Sequence, residues 1–157
     1  MSGSNLRARA HPKDKGGKQT PPPSADAQRI ITEDQVVAFE RTAAHLSALH
    51  QEFAVQAKAK PDNPINTFKL RMLNEKLEAA NSILVGEFQP FATFLSFVET
   101  DLPTNSDVAL VLGTYLASLE RWRSAHVRSA GMGTYCWRTG DGPHLTATSP
   151  TRFRPND

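Results

Sequence analysis

The sequence predicts an all-α fold, a small antiparallel helical bundle, and three observations carry that expectation. Three stretches keep an apolar seam at alternating three- and four-residue steps: Val36, Phe39, Ala43, Leu46, His50, Phe53, Ala57; then Leu70, Leu73, Leu77, Ala80, Leu84; then Val108, Leu112, Tyr115, Leu119, Trp122, His126. A seam of that period fits a helix laid lengthwise against other helices. Helix start and stop residues punctuate each stretch. A chain of 157 residues has room for a single domain, and its lone cysteine, Cys136, excludes an internal disulfide and a cysteine-based zinc site. The expected organisation is a disordered basic arm over residues 1–30, a bundle over 31–130, and a poorly structured tail over 131–157.

The arm holds Gly16-Gly17, Pro21-Pro22-Pro23 and almost nothing to bury, so it reads as disordered, with the prolines as a stiff spacer. The first helix starts at a capping box, Thr32 with Gln35, and a hydrophobic staple, Ile31 with Val36. Glu33 and Asp34 suit the positive end of the helix dipole, Lys58 and Lys60 the negative end, and Pro61 stops the helix. The second begins at Asn63 as cap and Pro64 as first helical residue. Its seam breaks at Glu87, and Pro90 clashes with the carbonyl four residues back, that of Gly86. The expected result is a kink between Gly86 and Pro90 that turns Glu87 to solvent and seats Phe88 in the core. A short helix from Pro90 to about Thr100 follows, and Phe88, Phe91, Phe94 and Phe97, three apart, drift around it and cap the bundle.

Thr104 with Asp107 forms a second capping box, with Asn105 or Ser106 as alternative caps. The third long helix is expected to reach Ala130, with Arg128 in its last turn and Gly131 just beyond. It carries Ala109, Leu110, Val111, Leu116 and Ala117 besides its seam, the mark of a helix that is central or covered by another chain. Past Gly131 the helical period stops. Two short β-prone runs, 135–138 and 144–148, flank an Asp141-Gly142 turn; they read as a hairpin or as an extended tail, with 149 onward disordered.

Charge is unevenly spread. Six basic residues (Arg7, Arg9, Lys13, Lys15, Lys18, Arg29) face two acids before Thr32, and four (Arg128, Arg138, Arg152, Arg154) face two acids after Val127, so the middle is net acidic within an overall charge of +2. Arg121 and Arg128, seven apart, share a helix face, and Trp137 with Arg138, and Phe153 between Arg152 and Arg154, interleave rings and cations as single-strand binders do. Only Leu6 can begin an apolar stretch at the start, and the run Val108–Leu119 is too short for a bilayer, so a soluble, cytoplasmic protein with no membrane contact is expected.

Chemistry-bearing patterns are sparse. No Glu-x-x-His, His-Glu-x-x-His, Gly-x-Ser-x-Gly or phosphate loop occurs. His50 and His126 occupy seam positions on different helices, where a facing pair would bind metal, and read instead as partly buried core histidines. Cys136 reads as a buried thiol, with His144 near only in sequence. No cofactor, no metal and no enzymatic activity are expected. The reading is a helical interaction or scaffold subunit that self-associates or docks on a partner protein, with Phe91, Phe94, Leu110, Leu116 and Trp122 as core or contact residues. The alternative is a nucleic-acid accessory factor gripping phosphates through Arg7, Arg9, Lys13, Lys15, Lys18, Arg128 and Arg138.

Overall fold

The computed structural model describes residues 30–140 and 145–148. The arm below residue 30, the Asp141-Gly142 turn and residues 149–157 lie outside the described residues, as do the expectations placed on them. Three helices dominate: α1 (Glu33–Ala59), α2 (Thr67–Ile83) and α3 (Asn105–His126).

The heptad seams are the core. Every seam residue of α3, and Leu70, Leu73, Leu77, Ala80 and Leu84 at α2, is buried. On α1, Val36, Phe39, Leu46 and Phe53 are buried, with Thr42 beside them, while Ala43, His50 and Ala57 are half-buried. The α1–α3 pair is the main packing interface. Both capping boxes form: Thr32 with Gln35, and Thr104 with Asp107, whose carboxyl the Thr104 hydroxyl and main-chain N–H hold below its ordinary range. Burial pushes the Tyr115 hydroxyl pKa up, and the hydroxyl donates at 2.7 Å to Asn81 Oδ1.

Four expectations are corrected. The fold is mixed, with a helical majority and a three-stranded antiparallel sheet in the order β1-β2-β3: β1 (Val127–Gly131), β2 (Thr134–Trp137) and β3 (Thr146–Ala147). An all-α class fails because the stretch past α3 finds a surface to dock on. Trp137 is only 1% exposed, its ring edge-on to Phe39 at 5.2 Å and 6.0 Å from Trp122, which is what a small sheet needs to be stable in water.

The third helix stops at His126, short of Ala130. The His126 carbonyl accepts from Arg138 N–H at 2.7 Å, and Val127 turns extended, so a neighbouring strand takes over the bonding that another helical turn would supply. Gly131 adopts a left-handed φ of +91°, yet it serves the β1–β2 turn with Met132 and Gly133 rather than a helix end. The hairpin alternative for 135–148 matches the pairing of β2 with β3, Tyr135 opposite Ala147 and Cys136 opposite Thr146.

The second helix is capped by Asn66, not Asn63. Pro64 instead bridges Thr104, Ile65 N–H donates to the Pro103 carbonyl, and Asn63 and Pro61 carbonyls accept from the first N–H groups of α3. The turn leaving α1 thus caps the start of α3.

No helix forms between Pro90 and Thr100. Gly86–Phe88 and Glu99–Asp101 are single 3₁₀ turns, Gly86 with φ +60°, and the chain between them is irregular. Thr67, Asn74 and Asn81, seven apart on one α2 face, hold it: Asn74 both donates to and accepts from Phe97's main chain at 2.8 and 2.9 Å, Asn81 donates to the Leu95 carbonyl at 2.9 Å, and Thr67 donates to Glu99. A polar ladder on α2 thus replaces the hydrogen bonds of a helix.

Candidate binding groove

A concavity lies at the end of the bundle where four segments meet. Ile30 and Ile31 lead into α1, and Asp34, Gln35 and Ala38 come from its first turns. Ser82 and Ile83 end α2, Val85 leads into the Gly86–Phe88 3₁₀ turn, and Trp122 and His126 close the wall from the last turn of α3; the hollow measures about 610 Å³.

Its wall is an aromatic stack. Trp122 stacks on Phe39 at 4.8 Å and on His126 at 4.2 Å, and Phe88 tilts against the His126 ring at 5.8 Å. Trp122 and His126 are 6% and 7% exposed, so the stack is a packed wall. His126 Nδ1 lies 2.7 Å from the Trp122 carbonyl one turn back, which fixes the ring's tilt. Glu87 points to solvent while Phe88 takes the inner seat, because the 3₁₀ turn rotates the chain where the α2 seam would have continued.

The rim combines two chemistries. Ile30 and Val85 stand 56% and 63% exposed at the rim. Asp34 and Glu87 are both exposed, and neither has an ion-pair partner among the described residues. Such a site suits an apolar side chain flanked by cations: the hollow excludes water from the anchor and the carboxylates meet the charges.

The contact candidates separate. Trp122 forms the groove wall. Phe91 is half-buried, 6.0 Å from Tyr115 and 5.4 Å from Phe94, which in turn meets Phe97 at 5.0 Å, so these rings line the inside of the 89–98 segment. Leu116 is half-buried against the core, and Leu110 is 72% exposed, twelve residues or roughly 18 Å of helix from Trp122. Of the nucleic-acid candidates, Arg7, Arg9, Lys13, Lys15 and Lys18 lie outside the described residues. Arg128 is exposed on β1, and Arg138 is half-buried with its Nε inside and its main chain joining His126 to Ile31.

The two seam histidines do not meet. His50 lies over Gly113, its Nε2 3.4 Å from where a Cβ there would sit, thirteen residues along α3 from His126 and roughly 20 Å away. Cys136 is buried in β2. Among the described residues no group of three or more His, Cys, Asp or Glu is placed to hold a metal ion, and no helix is long and apolar enough to cross a membrane.

Sequence reasoning missed Ile30, Asp34 and Val85 as parts of one site. The break at Glu87 pointed to the turn, but Asp34 and Glu87 are 53 positions apart and no periodicity joins them. Comparison with known proteins finds no matching family model, no matching curated protein and no matching solved structure.

Proposed function

We propose that the protein is a non-enzymatic interaction subunit that docks on a partner protein through the groove at the end of its bundle, in the cytoplasm. The observation that supports this is the rim: two exposed aliphatic side chains, Ile30 and Val85, set beside two exposed carboxylates, Asp34 and Glu87, around an aromatic wall. Binding chemistry fits better than catalysis because His126, the titratable ring in the wall, is stacked on Trp122 and has Nδ1 at the Trp122 carbonyl. Docking on a partner is preferred to self-association along α3, because Ala109, Val111 and Leu116 pack inward and only Leu110 and Ala117 of the surplus apolar set stay exposed.

A photo-crosslinking residue placed at Val85, with the same residue at Leu110 as control, tests it. The expected result is one protein captured from Val85 and not from Leu110, whose purified form binds with an affinity weakened by Asp34→Lys with Glu87→Lys. The reading fails if the captured protein binds the double variant as tightly, or if both positions capture alike.

A further inference from the structure

We propose that residues 87–101 form a hinged strap that opens and closes over the α2–α3 face as one unit, with its hinges at Gly86 and Leu102. This goes beyond the docking reading and holds whether or not a partner is bound. Three observations converge on it.

The first is how the strap is held. From Val85 to Leu102 no residue is buried, whereas α2 and α3 on either side each bury a full stripe. Phe91, Phe94 and Phe97 are half-buried, with Phe91 6.0 Å from Tyr115. The ties to the body are side chains of one α2 face: Asn74 on the Phe97 main chain, Asn81 on the Leu95 carbonyl and Thr67 on the Glu99 carboxylate. Tyr115 donates to Asn81 and so joins α3 to the same row. A segment with few buried contacts opens at a lower free energy than helices packed through a core.

The second is where the backbone turns left-handed. Between residues 33 and 126 only Gly86 and Leu102 have positive φ, +60° and +48°, and they stand at the two ends of the strap. Each marks the point where the chain leaves or rejoins the packed body. Leu84, two residues before Gly86, is buried, and Pro103, directly after Leu102, is buried with its carbonyl accepting from Ile65 N–H at 2.9 Å.

The third is strain. Glycine adopts the left-handed region freely, but a leucine there brings its Cβ against the following carbonyl. Leu102, at φ 48° and ψ 54°, also precedes a proline, which favours extended backbone at the residue before it. Its side chain is 66% exposed, so packing returns little of that cost. The closed strap therefore stores strain at one hinge, and opening releases it.

Opening bares Phe91, Phe94, Phe97 and the side of Tyr115 they cover. It also draws Phe88 off the His126 ring, so the strap's position sets the shape of the groove wall.

Native-state hydrogen exchange on the full chain tests the strap. Four of its amides are bonded when it is closed: Phe88 to the Val85 carbonyl, Gln89 to that of Gly86, Phe97 to Asn74 and Leu102 to the Glu99 carbonyl. They share one opening equilibrium and one denaturant dependence, and exchange before amides of 108–119. Asn74→Ala speeds exchange at all four by about tenfold, although only Phe97 bonds to Asn74. Leu102→Gly slows Phe88, Gln89 and Phe97 by about fivefold, while Leu102→Ala, which keeps a Cβ, leaves them as they are. Amides of 108–119 shift by the same factors and stay slower, since global unfolding also frees the strap. Unchanged helical circular dichroism shows that each variant is folded. Four unequal opening free energies overturn the proposal, as does an Asn74→Ala effect confined to Phe97. Equal effects of Leu102→Gly and Leu102→Ala, or strap exchange only together with 108–119, overturn it too. The Val85 crosslink reads the docking proposal separately, so either reading fails without the other.

Discussion

Helix α3 and the segment from Gln89 to Val98 both repeat apolar side chains at short, regular steps, yet only one is a helix. In α3 the steps alternate four and three, averaging 3.6 residues, so Val108, Leu112, Tyr115, Leu119, Trp122 and His126 fall on one stripe and all are buried. In the other segment the step is three. Its phenylalanines sit edge to face with one another, Phe91 tilts against Tyr115, and its backbone is held from outside by Asn74 and Asn81. Apolar repetition therefore says that a stretch will pack. Which backbone conformation it packs in depends on where its N–H and C=O groups find partners, and for 89–98 those partners belong to α2.

The difference predicts a graded set of losses. Trp122→Ala removes the middle ring of the Phe39–Trp122–His126 stack and the contact to Trp137, so it costs about 3–5 kcal/mol in urea denaturation; a cost below about 1 kcal/mol would mean that the stack is incidental. Asn74→Ala orphans both main-chain groups of Phe97, which costs about 1–3 kcal/mol. Its distinguishing sign is quicker hydrogen exchange across 94–98 with helical circular dichroism unchanged, since α2 itself keeps its bonds.

Thr104→Ala strips the cap of α3 and costs about 1 kcal/mol. Asp107, in the same box, titrates below its ordinary value in the folded chain because of the Thr104 hydroxyl and then the Thr104 N–H. Its stabilising contribution is therefore complete above the unfolded carboxyl's pKa and fades as pH falls through the lower, folded one. Stability measured from about pH 5 down to 2 should drop less steeply in Asp107→Asn than in the parent chain. The smallest effect belongs to Leu110→Gln, within about 0.5 kcal/mol, because the side chain stands in solvent. A larger loss, or a change in native mass, would return Leu110 to an interface.

Much of the helical core was legible from spacing. Both capping boxes and nearly every buried seam position follow from residues that act on neighbours one turn away, where chain geometry leaves little choice. Trp122 could be marked as core or contact for the same reason. The end of α3 could not be placed: Arg128 and Gly131 are ordinary helix-end residues, and only the Arg138 N–H, brought back by β2, cuts the helix at His126. The polar heptad Thr67, Asn74, Asn81 was visible as spacing but carried no meaning until a second segment lay against it.

The sequence by itself determined where α1 and α3 start, which stripe each helix buries, and that those stripes must face one another, because such effects are local and periodic. Tertiary structure alone decided that the chain after His126 becomes a sheet, that 89–98 packs without a helix, and that Ile30, Asp34, Val85 and Glu87 share a rim. Each of those outcomes turns on hydrogen bonds or proximity between residues tens of positions apart, and no periodicity along the chain encodes which distant groups will meet.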